Sequence, residues 1–282
     1  MASPLTRGQS LLFVPASRPD RFAKALESGA SCVIVDLEDA VAPDYKKSAR
    51  DQLSDRLVDM SPAQLAHIVV RINGTGTPWH DDDLRMLSEW TTKGIAGVMV
   101  PKAETADVLR AASAALGPAA ALVPLVESLA GLDAVDELAA TAQVVRLAFG
   151  HLDFQLDLGM RCTAEEAELA YVRFALVAAS RRAQLPPPID GVTTDTGSRE
   201  RLLADLRRAR AFGFGGKLCI HPTQVAPVNE TFVPTPNEIE WARRVMQVAQ
   251  LHSGEAFSLD GRMVDLPVIR LAEKTLQQAD PA

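Results

Sequence analysis

Apolar positions in this chain come in short unbroken runs rather than in strict alternation. The runs are SLLFVP (Ser10 to Pro15), CVIVDL (Cys32 to Leu37), HIVVRI (His67 to Ile72), GVMVP (Gly97 to Pro101), ALVPLVE (Ala121 to Glu127), VVRLAFG (Val144 to Gly150), IDGV (Ile189 to Val192) and GKLCIH (Gly216 to His221). Continuous Val/Leu/Ile runs bounded by turn residues read as strands buried on both faces. Between them lie stretches of helical length and composition: Arg21 to Ser28, Pro43 to Leu57, Trp79 to Thr92, Thr105 to Leu116, Leu129 to Thr141, Thr163 to Gln184 and Ser198 to Phe212. Eight strands alternating with helices, with no domain-scale linker, predict a closed parallel (β/α)8 TIM barrel rather than an open sheet. The barrel is assigned to residues 1–222. Residues 223–282 read as a C-terminal helical extension, packing on the barrel or on a neighbouring subunit. It holds a helix from Asn237 to Leu251, a Gly/Ser interruption, a short segment from Ala256 to Leu266 and a last helix to Gln278.

Composition narrows the class. The 282 residues are 47% hydrophobic and 23% charged, ordinary for a soluble globular enzyme. A net charge of −7 argues against a nucleic-acid surface. The opening MASPLTRGQS lacks the apolar stretch of a secretory signal, and no run reaches the ~20 apolar residues of a membrane span, so a cytoplasmic, membrane-free protein is expected. Cys32, Cys162 and Cys219 are scattered without CxxC spacing and read as free thiols of a reducing compartment, Cys32 and Cys219 being buried in strands.

Candidate chemistry collects where barrel enzymes keep it, at the C-terminal ends of the strands. Those ends carry Glu38, Asp39, Arg71, Lys102, Glu127, Asp153, Asp190 and His221. Glu127 and Asp153 close consecutive strands of one βαβ unit and so project into the same space. Two carboxylates in a desolvated mouth repel, and a divalent cation is the natural compensation. All-oxygen ligation favours Mg²⁺. The alternative is two unrelated surface acids. Arg71 can grip a substrate carboxylate through two hydrogen bonds, or it can pair with the Asp36-to-Asp39 cluster of the preceding strand. Lys102, among acids, reads as a partner of Glu38, Asp39 or Glu104 rather than a Schiff-base lysine, which needs desolvation. His221, before Pro222, reads more readily as a cap than as a catalyst. Asp81, Asp82 and Asp83 sit in the first turn of a predicted helix, where the helix dipole favours acids, and this is preferred to a second metal site. No GxGxxG or Walker A motif is present.

Taken together, LLFVPASRPDRFAKAL, VIVDLEDAVAPDYKKSAR, VVRIN, MVPKAE, PLVES, LAFGHLDFQLDLG, PIDGV, GFGGKLCIHPTQV and DGRMVDLP, in this order, resemble the citrate lyase beta subunit (citryl-CoA lyase) family of the HpcH/HpaI aldolase superfamily, with its malyl-CoA and citramalyl-CoA lyase relatives. The resemblance spans nearly the whole chain. It implies a (β/α)8 barrel, a homo-oligomer built on trimers, and a Mg²⁺-dependent lyase that cleaves a 3-hydroxyacyl-CoA thioester such as citryl-CoA into acetyl-CoA and an oxoacid, oxaloacetate. By the same resemblance Glu127 and Asp153 are metal ligands and Arg71 is the clamp for the oxoacid carboxylate. Glu38, Asp39 and Lys46 are implied to form a supporting shell around the metal and its waters. Asp265 matches an acid that malyl-CoA-type lyases bring from an adjacent subunit, and it becomes the candidate for protonating the enolate. The chain has LVES where many relatives have an I-E-T triplet, which keeps the glutamate and changes its neighbour. A metal-dependent aldolase of free hydroxy-oxoacids, and a citrate lyase subunit dependent on an acyl carrier protein and partner subunits, are the other readings.

Overall fold

The computed structural model describes residues 3–251 and 255–279. The chain divides into two compact units, Met1–Asn229 and Glu230–Ala282.

The first unit is a closed barrel of eight strands in sequence order. They are β1 (Ser10–Pro15), β2 (Cys32–Asp36), β3 (Ile68–Arg71), β4 (Gly97–Val100), β5 (Leu122–Val126), β6 (Ala148–Phe149), β7 (Ile189–Asp190) and β8 (Gly216–Cys219). Every neighbouring pair is parallel, and β8 closes on β1 through Ser10 beside Lys217. The strands are buried on both faces, which is why each reads as an unbroken apolar run. Alternate residues serve different partners. One cluster takes side chains from every strand, among them Leu11, Ile34, Val69, Met99, Leu125, Ala148, Ile189 and Leu218. The two-residue period then carries this parity up each strand, from Ile34 to Asp36, from Val69 to Arg71 and from Leu125 to Glu127. The charged residues at the rim are thus the last positions of rows that are otherwise apolar.

At the other end of the barrel, Arg146 is almost fully buried, and among the described residues no carboxylate is paired with it. Its Nε donates to the Pro187 carbonyl at 2.7 Å, and Nη1 donates to the carbonyls of Gly8 at 2.6 Å and Leu5 at 3.2 Å. Burial pushes its pKa down to about 10. Gly215 and Gly216 give it room, since a Cβ at either would come within 3.1 or 3.0 Å of Nη2.

Several elements differ from the sequence reading. The long helix expected over Thr163 to Gln184 is shorter, Ala170–Arg182, and is entered through a 3-10 turn at Ala167–Leu169. The segment Leu129 to Thr141 forms two helices, Leu129–Asp133 and Val135–Ala140, because the chain leaves helical geometry at Ala134. The strand expected over Val144 to Gly150 narrows to two residues plus a bridge from Val144 to Leu122, and helix His151–Asp157 follows it at once. Helices Pro4–Arg7, Pro62–Leu65 and Val225–Phe232 were not expected. Cys32 and Cys219 are buried as expected, and Cys162 is half-buried in a loop.

In the second unit, helices Pro236–Leu251 and Leu266–Ala279 pack around Ala242, Val245, Phe257, Val264, Ile269 and Ala272. The segment between them is an antiparallel hairpin of β9 (Phe257–Leu259) and β10 (Arg262–Val264). Its turn residues Asp260 and Gly261 both have positive φ, 52° and 75°, as a two-residue hairpin turn requires. Among the described residues, no helix is long and apolar enough to cross a membrane.

Arg146→Ala is expected to leave the buried carbonyls of Leu5 and Gly8, and the part-buried one of Pro187, without this donor and to lower the unfolding free energy by about 3 kcal/mol. Urea denaturation of the two proteins measures it.

Candidate active site

The rim is assembled from the ends of β2 to β6. Asp36 and Arg71 are register partners on β2 and β3, so two inward-facing residues of opposite charge meet directly. Arg71 Nε donates to Asp36 Oδ1 at 2.7 Å and Nη2 to Asp36 Oδ2 at 2.6 Å, a two-point fork. Phe13 lies under the guanidinium, 4.9 Å from its centre. Burial works against the charge of Arg71, but Asp36 and the nearby acids outweigh it and hold the pKa above the ordinary arginine value. Of the two roles weighed from sequence, the ion pair is present. Nη1 points elsewhere, lying 3.0 Å from Glu38 Oε2 and 3.2 Å from Asp39 Oδ2.

Asp36 also shapes the loop after β2. Its Oδ1 accepts the Glu38 N–H at 2.9 Å and its Oδ2 accepts the Ala40 N–H at 3.0 Å. Lys46 is buried and donates to the carbonyls of Leu37 at 2.7 Å and Glu38 at 2.6 Å. Burial is the larger effect on Lys46 and lowers its pKa despite the surrounding acids. Lys46 therefore fixes the loop that carries Glu38. Glu38 itself is buried and its Oε2 has no aligned hydrogen-bond donor, whereas Asp39 is mostly exposed. Desolvation, offset mainly by Arg71, pushes the Glu38 carboxyl up to about 7.

Glu127 follows β5 and is 3% exposed. Its Oε1 accepts the backbone N–H of Lys102 at 2.7 Å. Its Oε2 lies over Gly150, where a Cβ would come within 2.5 Å of it, so only glycine fits between β6 and this carboxylate. Desolvation first, then the charges of Glu38 and Asp153, push the Glu127 carboxyl up to about 8. Asp153 sits in the first turn of helix His151–Asp157 rather than at the strand end expected for it, and it is half-buried. Its effect on Glu127 places the two carboxylates in one field. The acids Asp36, Glu38, Asp39, Glu127 and Asp153 outnumber the cations Arg71, Lys102 and Lys46 at this rim. The buried carboxylates of Glu38 and Glu127 and that surplus of negative charge fit a hard divalent cation with oxygen ligands. Among the described residues no group of three or more His, Cys, Asp or Glu converges as a complete metal cage. Mg²⁺ does not need one, since it commonly takes one or two carboxylates and keeps water or substrate oxygens.

Lys102 pairs with Glu38, Nζ to Oε1 at 3.3 Å, while Glu104 takes the Ser128 hydroxyl at 2.8 Å. The other rim residues expected from sequence do not join this group. Asp190 is one residue from the interior Ile189, so its side chain turns outward, 3.2 Å from Arg173. Its register partner on β8 is Lys217, a buried lysine that sequence reading missed and that donates to the Gly191 carbonyl at 2.5 Å. His221 caps the turn Pro222–Gln224 through Thr223. His80 bonds the Asn73 carbonyl, and Asp83 holds Arg50 and Asn73, so the His80-to-Asp83 run is structural. Asp265 belongs to the second unit, where its Oδ1 accepts the Val268 N–H at 3.4 Å at the start of the last helix. A cavity of about 640 Å³ opens at the ends of β1 and β8, with Phe13 and Ile220 among its apolar walls and Arg21, Lys24 and His221 at its edge. Sequence reading had not singled out Arg21 or Lys24.

The raised carboxylate pKa values have a signed consequence for the metal-free protein. A carboxyl that holds its proton more tightly when folded stabilises the fold fully below its unfolded pKa. That contribution is lost as pH rises through the folded value, here up to about 8 for Glu127. Glu127→Gln is therefore expected to leave the melting temperature in EDTA unchanged at pH 4 and to raise it above the parent's at pH 8.5. Thermal melts at both pH values check it.

The family model described as HpcH/HpaI aldolase/citrate lyase matches residues 9–222. The citrate lyase subunit beta-like protein of Mycobacterium tuberculosis is 37% identical over 284 residues, covering 98% of this chain and 97% of that one. The L-malyl-CoA/beta-methylmalyl-CoA lyase of Rhodobacter capsulatus is 32% identical over 311 residues, covering 99% and 97%. Among solved structures, CitE of M. tuberculosis in complex with magnesium, acetoacetate and coenzyme A superposes with a TM-score of 0.82 at 35% identity, covering 97% of this chain and 98% of that one. The strand-end carboxylates on a closed barrel and the full-length likeness agree: this chain belongs to the HpcH/HpaI aldolase/citrate lyase family.

Proposed function

We propose that this chain is a Mg²⁺-dependent carbon–carbon lyase that cleaves a 3-hydroxyacyl-CoA thioester of the citryl-CoA or malyl-CoA type into acetyl-CoA and an oxoacid. The observation that carries the reading is Glu127, a buried carboxylate in the field of Asp153 whose one oxygen is fixed by a backbone N–H while the other lies over a glycine. Similarity to proteins solved with magnesium and with coenzyme A supports the choice of ion and of thioester.

Glu127 and Asp153 are the residues that would hold the ion. Bound there, Mg²⁺ supplies Lewis acidity to substrate oxygens. Arg71, pinned by Asp36 and Phe13, binds the oxoacid carboxylate through Nη1, exchanging its contacts with Glu38 and Asp39 for the substrate's oxygens. Glu38, with a pKa near 7, is matched to take up the hydroxyl proton at neutral pH. As that proton leaves, the oxygen lone pair forms the new carbonyl of the oxoacid. The C–C bond breaks, and its electron pair passes to the thioester as the acetyl-CoA enolate. Protonation of the enolate carbon completes acetyl-CoA, and Asp265, supplied by an adjacent subunit of a trimer-based oligomer, is assigned that proton. Lys46 and Asp39 shape the loop that presents Glu38. The cavity edged by Arg21 and Lys24 suits a ligand with an apolar body and phosphate groups, which is the character of the CoA tail.

The purified chain is expected to release acetyl-CoA from one of citryl-CoA, malyl-CoA or citramalyl-CoA with Mg²⁺ and to be silent in EDTA. Asp265→Asn is expected to cut turnover about 10²-fold, the usual scale for losing a general acid, with Mg²⁺ binding by calorimetry unchanged. Cleavage that continues undiminished in EDTA overturns the reading. Silence on all three thioesters with intact Mg²⁺ binding points instead to a subunit that needs an acyl carrier protein.

A further inference from the structure

Lys102 follows β4 and has φ +46°, in the left-handed region where a residue with a long side chain is uncommon. The strain is not idle. Its backbone N–H donates to Glu127 Oε1 at 2.7 Å, and the positive φ then sets where its side chain and the chain beyond it go. The same residue sends its ammonium across the mouth to Glu38 Oε1, 3.3 Å away. Glycine would adopt this backbone without cost but would carry no ammonium. With Ala103 held in place downstream, a lysine that relaxed to a β conformation would have to swing the Pro101–Lys102 peptide, and the N–H with it, out of line with Glu127. The surroundings hold the strained backbone in place. The Ala103 N–H donates to the Leu125 carbonyl at 3.4 Å, and Gly131 approaches so closely that a Cβ there would lie 2.7 Å from the Ala103 carbonyl. Local strain of this kind persists where the neighbouring structure over-determines it, and it clusters at functional sites.

We propose that Lys102 is a positioning residue that sets two carboxylates at once, Glu127 through its left-handed backbone and Glu38 through its side chain. With Oε1 occupied by the Lys102 N–H and Gly150 bare beneath Oε2, the Glu127 carboxylate has one orientation, with Oε2 as its free edge. The ammonium, about half-exposed, holds Glu38 toward the same space without closing it. This inference rests on the reading of Glu127 as a metal ligand.

The test separates the two halves of the residue. Lys102→Gly and Lys102→Asn keep a backbone that accepts positive φ and remove the ammonium. Lys102→Val removes both, because a β-branched residue resists this conformation. Mg²⁺ affinity is measured by calorimetry on each full-length protein, with Glu127→Gln beside them, and acetyl-CoA release is measured in parallel. The glycine and asparagine variants are expected to bind Mg²⁺ within about twofold of the parent and the valine variant about tenfold more weakly, the scale of a lost outer contact to a metal ligand. All three are expected to lose turnover. Lys102→Arg, which keeps the charge, is expected to recover turnover over the glycine variant. Affinity that follows charge, with arginine like the parent and glycine as weak as valine, overturns the backbone half. Affinity equal to the parent's in every Lys102 variant, while Glu127→Gln binds none, overturns the proposal and leaves Glu127 as a ligand. Undiminished Mg²⁺ binding by Glu127→Gln removes the reading on which the proposal stands, and the proposal with it.

Discussion

The rim depends on the fork between Arg71 and Asp36. A guanidinium and a carboxylate on adjacent strands, both at the top of rows that are apolar below, could not be left singly at that depth. Removing either partner would strand a buried charge, which is far more costly than the pair itself is stabilising. Because the two are register partners, their contact also locks β2 against β3 at the mouth. The same two oxygens of Asp36 also accept the N–H groups of Glu38 and Ala40 and so build the turn that follows, and Lys46 ties that turn down from behind. Glu38, Arg71 Nη1 and Lys102 face one another because this foundation is rigid.

Charge is distributed unevenly around the barrel, and parity explains it. Inward positions at the ends of β2, β3 and β5 bear Asp36, Arg71 and Glu127. The neighbouring parity on β7 and β8 bears Asp190 and Lys217, which face the helix layer and are held by Arg173 and by a backbone carbonyl. Burial works against the charge of Asp190, but Lys217 and Arg173 outweigh it and keep its pKa below the ordinary carboxylate value. The two groups of charges thus lie one residue apart along their strands and do different work. The first leaves oxygens free for ligands, and the second ties β7 to the helix Ala170–Arg182 through Arg173.

The barrel was legible because both faces of its strands are covered, so each strand writes a continuous apolar block into the sequence. Arg71, Glu38 and Glu127 were legible because strand ends are where such blocks stop, whereas Asp153 sits on the first turn of the helix that follows its strand. Asp190 stood in the same list because a block of two residues does not reveal which way its last side chain turns. The missed helix His151–Asp157 has a physical cause as well. GHLDFQLD carries only Leu152, Phe154 and Leu156 as apolar residues, a two-residue spacing that hides a helix started by Gly150. The hairpin of the second unit has its sequence signal in Asp260-Gly261, a two-residue turn pair set between Phe257-Ser258-Leu259 and Arg262-Met263-Val264. Lys102 gave the least away, since no pattern of residue types announces a positive φ at a lysine.

Arg146 changes the meaning of the first few residues. Two of its three carbonyl partners, Leu5 and Gly8, come from the short segment ahead of β1, and the third comes from the loop before β7. A cation sealed in without a counter-ion has to find its solvation in the chain, and here the amino-terminal segment provides most of it. That segment is part of the floor of the barrel. Trimming the chain to begin at the first strand, or fusing a bulky domain directly onto Pro4, would open the base of the barrel to water at the point where a bare guanidinium is waiting for it.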